Sequence, residues 1–135
     1  MHHTLDVAVN AAQKAADVIL AALNIPRVAD YKGKTDLVTK TDKESEQLIC
    51  GLIREEYPMH GILAEESGSS LPDADYQWII DPLDGTTNFV HNYPAFAVSI
   101  GVFYKSKPLV GIVLELPAKR LFTALKGQGV TCDGS

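Results

Sequence analysis

Cysteine is scarce: Cys50 and Cys132 are the two in 135 residues. Without a Cys-x-x-Cys pair or Cys/His spacing, neither a zinc site nor a disulfide framework is indicated, and both are read as free thiols. Cys50 falls on the apolar side of a predicted helix, where it serves as a small buried hydrophobe. Basic charge is also limited, 12 Lys and Arg against 17 Asp and Glu, for a net charge of −5. That balance argues against a general nucleic-acid surface, and no nucleic-acid partner is expected. Long apolar runs are missing as well. The longest largely apolar stretch, Pro94 to Tyr104, is too short to cross a bilayer, so no membrane partner is expected. No basic segment followed by an apolar core opens the chain; a secretory signal is therefore not expected, and the expected location is cytoplasmic. His2 and His3 are assigned no function.

What is present suits one soluble-type domain over residues 1–135. The hydrophobic share is 46%, enough to build a core at this length without staples. Leu5, Ala8, Val9, Ala12, Ala16, Ile19, Leu20 and Leu23 recur at helical spacing and predict a helix over 5–23, with Thr4 as N-cap and Asn24 and Pro26 at its end. Residues 29–40 read as polar and irregular. Thr41-Asp42-Lys43-Glu44 has the form of a capping box and predicts the start of a second helix, with Ser45, Leu48, Ile49, Leu52 and Ile53 on one face and Pro58 past its stop. The period then changes. Strands are predicted at 61–64, 76–80, 96–102, 109–116, 121–125 and 130–132, with 67–75 as loop. Helices first and strands afterwards, joined by short turns, predict an α+β fold: two N-terminal helices packed on an antiparallel sheet.

The chemistry concentrates in Trp78-Ile79-Ile80-Asp81-Pro82-Leu83-Asp84-Gly85-Thr86-Thr87-Asn88-Phe89-Val90-His91. Asp81 and Asp84 follow an apolar strand on a tight turn. Two ionised carboxylates at close range repel, and a divalent cation between them reverses that sign. Pro82 has no N–H, and the carbonyl of Leu83 offers a further oxygen. Hard oxygen donors of this kind suit Mg2+. Gly85 permits close backbone approach, and the amides and hydroxyls of Thr86 and Thr87 suit phosphate. An isolated Asp-x-x-Asp would more readily be a strand end and a helix cap; the whole string is far more specific than its parts.

Upstream, Glu65 and Glu66 end the Ile62-Leu63-Ala64 strand at the sheet end that also carries Asp81. Asp42 divides between helix capping and contact with the metal site. Lys32 and Lys34 lie in the irregular segment, where a cation favours a phosphate site nearby. His91 is read as structural, since imidazole is not a preferred Mg2+ ligand, and Trp78 as core.

Asp81-Pro82-Leu83-Asp84-Gly85-Thr86-Thr87-Asn88-Phe89, with Ala64-Glu65-Glu66-Ser67 before it and Asp36-Leu37-Val38-Thr39-Lys40-Thr41-Asp42 further upstream, closely resembles the inositol monophosphatase family. The resemblance covers nearly the whole chain. It implies the N-terminal half of the layered sugar-phosphatase fold, the family's C-terminal Trp-Asp-x-Ala-Ala-Gly-type motif not being reached. It also implies a Mg2+-dependent, lithium-sensitive phosphomonoesterase using two or three ions, with a small phosphorylated polyol or sugar, inositol monophosphate first, as substrate. Glu65, Asp81 and the Leu83 carbonyl resemble the ligands of the first metal, and Asp81 and Asp84 those of the second. Gly85 and Thr86, with Asp84, resemble the phosphate-binding residues. Thr86 and Glu65 are similar to the pair that orients the attacking water, and Asp42 to the acid that contacts metal-held water. Lys32 is similar to an accessory loop lysine, and Glu66 has no ligand role. The full-length form is expected to be a homodimer. The other expectation is a non-catalytic fragment or interaction module of the same family, including its relatives that assist RNA polymerase.

Overall fold

A computed structural model describes residues 2–23, 31–64, 68–84 and 96–133. Two helices, α1 (His2–Leu23) and α2 (Tyr31–Glu56), precede seven strands: β1 (Gly61–Ala64), β2 (Gly68–Ser70), β3 (Tyr76–Asp84), β4 (Phe96–Tyr104), β5 (Lys107–Leu116), β6 (Arg120–Leu125) and β7 (Gly129–Cys132). The strands form one sheet in the order β2-β1-β3-β4-β5-β6-β7.

The apolar stripe of α1 is real and broader than its sequence pattern. Ala8, Ala11, Ala12, Ala15, Ala16 and Ile19 are all fully buried. Small side chains on two adjoining faces let α1 pack closely on α2 and the sheet at once. Thr4 is not the N-cap. It lies inside the helix, buried, and its hydroxyl shares a 3.2 Å hydrogen bond with the Tyr57 phenol.

α2 departs from expectation more strongly. It starts at Tyr31, so the segment read as irregular is largely helical and the capping-box pattern lies well inside the helix. Thr41, Asp42, Ser45 and Glu46 are all buried, at 2, 7, 0 and 1% exposure. Residues 31–40 carry no apolar period, so the helix there has no signature in the sequence, and local pattern is a weak prior against tertiary context.

Sheet register explains the two faces. On β4, Phe96, Val98, Ile100 and Val102 are buried and alternate with half-buried Ala97, Ser99, Gly101 and Phe103. The buried set faces the helices, joined by Ile62, Trp78, Ile80, Val110, Ile112 and Leu114. The opposite face leaves Leu63, Ile79, Val113 and Val130 exposed. The β4–β5 hairpin closes on Lys105 and Ser106, both at positive φ (47° and 68°), as a two-residue turn matched to strand twist requires.

The sheet is mixed rather than wholly antiparallel. β1 pairs parallel with β3, Ile62 opposite Trp78 and Ala64 opposite Ile80. The cause is β2, a strand within the segment read as loop. It folds back antiparallel on the outer edge of β1, and the chain then returns to the other side of β1 as β3. A strand of three residues rich in Gly and Ser carries no alternation by which to be recognised.

Candidate functional site

Two contacts orient the helices on the sheet. At one end, the start of α1 meets the end of α2: His3 Nε2 lies 3.3 Å from Glu56 Oε2, and Tyr57 leans on Trp78 with ring centroids 6.0 Å apart. At the other end, Lys119 in the β5–β6 turn reaches Asp17 of α1 at 2.9 Å. The helices are therefore antiparallel to each other, and α2 descends toward the N-terminal end of β3. From Tyr57 back to Asp42 the helical rise is about 22 Å. From Trp78 forward to Asp81 and Asp84, strand rise is about 10–20 Å. Position 42 is thus carried to the end of the sheet where β3 places positions 81 and 84, and where β1 ends at Ala64.

β3 runs on through the acidic segment instead of stopping at Ile80. Asp81 is opposite Ser99 and Asp84 opposite Ala97, with a register shift between them. Three steps along β3 match two along β4, which is the count of a one-residue bulge. In a flat strand, positions three apart lie on opposite faces. The bulge returns both aspartate positions to one face, that of Ser99 and Ala97. A bulged strand, not the expected turn, carries the two positions. Pro82, buried and without an N–H, sits in the bulge where ladder pairing is interrupted.

Of the expected site residues, Asp42 and Asp81 are described fully, as a buried and a half-buried carboxylate. Leu83 and Asp84 are placed by the backbone of β3, and Lys32 by the first turn of α2. Glu65, Glu66, Gly85, Thr86 and His91 lie outside the described residues. Among the described residues no group of three or more His, Cys, Asp and Glu gathers closely enough to hold a metal. The capping half of the Asp42 reading is overturned, because Asp42 lies in the interior of α2 rather than its first turn.

A residue that sequence reasoning passed over is Glu46. It is 1% exposed, one helical turn beyond Asp42 and beside the buried Ser45, whose Oγ has no hydrogen-bond partner among the described residues. Acidic groups four apart on a helix repel, and burying them raises the cost. The signal was available: Asp42 and Glu46 share a helical face with Ile49 and Ile53. Among the described residues, the buried face of α2 supplies the oxygens of Asp42, Ser45 and Glu46 on the helix side of the sheet, and β3 supplies the Asp81 carboxylate from the face that carries Ser99, all of them hard oxygen donors. Such a donor set fits a hard divalent cation such as Mg2+.

The inositol monophosphatase family model matches residues 1–135. Nus factor SuhB of Escherichia coli (strain K12) is 46% identical over 137 residues, covering 99% of this chain and 51% of that protein. Phosphatase IMPL1, chloroplastic, of Arabidopsis thaliana is 45% identical over 139 residues, covering 98% of this chain and 38% of that one. Among solved structures, inositol monophosphatase from Anabaena (Nostoc) sp. PCC 7120 superposes with a TM-score of 0.84 at 41% identity, over 98% of this chain and 47% of that one. Extragenic suppressor protein suhB from Bartonella henselae gives 0.86 at 32% identity, over 97% and 51%. The chain spans about half the length, or less, of these relatives. Two helices on a mixed sheet, an acidic end built by a strand bulge and a match over every residue have one reading: this chain belongs to the inositol monophosphatase family.

Proposed function

We propose that the protein carrying this sequence is a Mg2+-dependent phosphomonoesterase that hydrolyses a small polyol or sugar phosphate, inositol monophosphate first. Residues 1–135 would form its metal- and phosphate-binding portion. The reading is supported by the family match over residues 1–135 and by the backbone of β3, which carries positions 81 and 84 through a bulge at the end of the sheet.

In this reading Glu65, Asp81, the Leu83 carbonyl and Asp84 hold the cations. Bound there, cations would neutralise phosphate charge and lower the pKa of water toward neutral pH. Glu65 and Thr86 hold that water in line with phosphorus, Glu65 accepting its proton. The backbone amides at Gly85 and Thr86 receive the equatorial phosphate oxygens. Asp42 would contact metal-held water, and Lys32 would add positive charge to an acidic site. Such a protein would be cytoplasmic, inhibited by Li+, and a homodimer in its full-length form. Among the described residues, no helix is long and apolar enough to cross a membrane.

The test is phosphate release from inositol monophosphate by the intact protein, with and without Mg2+. Release that needs Mg2+ and falls roughly a hundredfold or more in Asp81→Asn supports the assignment. Turnover unchanged in that variant would refute it. A second reading is favoured by the 46–47% identity to proteins named Nus factor SuhB: a non-catalytic interaction module, related to the members that assist RNA polymerase. No turnover, no Mg2+ heat in calorimetry and retention of a transcription-complex protein would establish it instead.

A further inference from the structure

At the end of the sheet away from the acidic positions, His60 lies between two phenols. Its ring stacks on Tyr57 with centroids 4.3 Å apart and planes 2° from parallel, and on Tyr76 at 4.5 Å and 13°. His3 meets Tyr57 edge-on at 5.7 Å, and Tyr104 leans against Tyr76 at 4.7 Å. The row ties α1, the α2–β1 connection, β3 and β4 together.

A hydrogen bond crosses this row. Trp78 Nε1 donates to His60 Nδ1 at 2.9 Å. An indole nitrogen can only donate, so His60 Nδ1 presents its lone pair and the single ring proton sits on Nε2. Trp78 is fully buried. A proton on Nδ1 would set two N–H groups against each other and strand a buried donor, a loss that a buried polar group does not recover from water.

We propose that His60 is a proton-operated latch: neutral, it fastens the α2–β1 connection to β3 through Trp78 and the two tyrosines; protonated, it lets go. The groups facing it are Tyr57 from the connection and Tyr76 and Trp78 from β3. Beyond Tyr57 stand His3 and Glu56, engaged with each other at 3.3 Å. Beyond Tyr76 stand Tyr104 and Lys105, whose Nζ lies 5.4 Å from the Tyr104 ring centroid. Burial depresses the affinity of His60 for a proton, in the direction the hydrogen bond requires. The stacked phenols could favour an imidazolium by cation–π attraction, worth about 0.5–1 kcal/mol at such partly exposed sites. The stranded indole donor, at about 1–3 kcal/mol, outweighs it.

Position gives the latch its consequence. Gly61 starts β1 next to His60, and β1 and β3 run parallel from this end to the acidic end. Opening the latch frees the base of both strands. The inference stands independently of the phosphatase assignment.

Trp78 is the sole tryptophan of residues 1–135, so in this chain its fluorescence and its indole 15N–1H signal report on the latch directly. Both are followed between about pH 4.5 and 8, the range in which histidine titrates, alongside the imidazole 15N signals of His60. The expected result is one shared step below pH 6.5, with quenching on the acid side and the Nε2–H tautomer above it. His60→Asn, whose amide oxygen keeps an acceptor near the Nδ1 position without titrating, loses the step; His3→Asn keeps it. A flat profile in the unsubstituted protein, a step that survives in His60→Asn, or a neutral ring carrying its proton on Nδ1 would each overturn the proposal. The tautomer is read on the unsubstituted protein, so a poorly folding variant leaves the test intact.

Discussion

Asp81 and Asp84 stand three residues apart on β3 yet face Ser99 and Ala97, which stand two apart on β4. The extra residue in the bulge is what puts both aspartate positions on one face. Cross-strand neighbours have Cβ atoms about 4.5–5.5 Å apart, so the residue opposite Asp81 limits the space its carboxylate can use. Ser99→Val places a larger, branched and non-polar chain there. It is expected to raise the Mg2+ concentration needed for half-maximal phosphate release several-fold while leaving far-UV circular dichroism unchanged. Unaltered Mg2+ dependence would show that the Ser99 face is not the one that matters.

Gly61 and Gln77 form a second matched pair. A methyl group at Gly61 would collide with the Gln77 carboxamide. That carboxamide is engaged: Nε2 donates to the carbonyls of Leu71 at 2.9 Å and Ala74 at 3.0 Å, holding the β2–β3 connection. Gly61→Ala is expected to displace it and cost about 1–2 kcal/mol in urea unfolding, on the scale of one or two hydrogen bonds. Gln77→Ala should cost about the same. The double variant should be no worse than either alone, because both remove one arrangement. Additive losses would disprove the coupling.

Ser45 offers a substitution in the other direction. Its hydroxyl is buried within α2 with no hydrogen-bond partner among the described residues. Ser45→Ala removes an unsatisfied polar atom and improves helix propensity. The expected result is equal or higher stability in metal-free buffer, by up to about 1 kcal/mol. A marked destabilisation would mean that the hydroxyl has a partner of importance.

Stability should also depend on pH through His60. Burial lowers its proton affinity below the ordinary value of 6.5, so the unfolded chain binds this proton more readily than the folded one. The contribution of the neutral ring is complete above pH 6.5 and is lost as pH falls through the window from 6.5 down to the folded value. Urea midpoints measured across that window should fall on the acid side. The fall should be smaller in His60→Asn, the remainder coming from carboxylates.

Much of this architecture was legible from residue order. Strand alternation on Phe96–Val102 and the alanine stripe of α1 each follow from side-chain period. Those signals are local, and local physics produces them. The same holds for the acidic string at Asp81–Asp84, whose residue types already favour a hard cation and a phosphate.

Three features came from long-range contact instead. The parallel pairing of β1 with β3 depends on where β2 folds back. The burial of Thr41 and Asp42 inside α2 depends on packing against the rest of the molecule, despite a capping pattern that pointed elsewhere. The Trp78–His60 hydrogen bond joins residues eighteen apart in sequence. Residue order sets which groups can pair, alternate or repel over a few neighbours, and that suffices for the elements and the identity of the acidic oxygens. Which elements meet, and so which face carries positions 81 and 84 and which ring accepts the indole proton, depends on the free energy of burying one shared core, and no short stretch of chain contains that quantity.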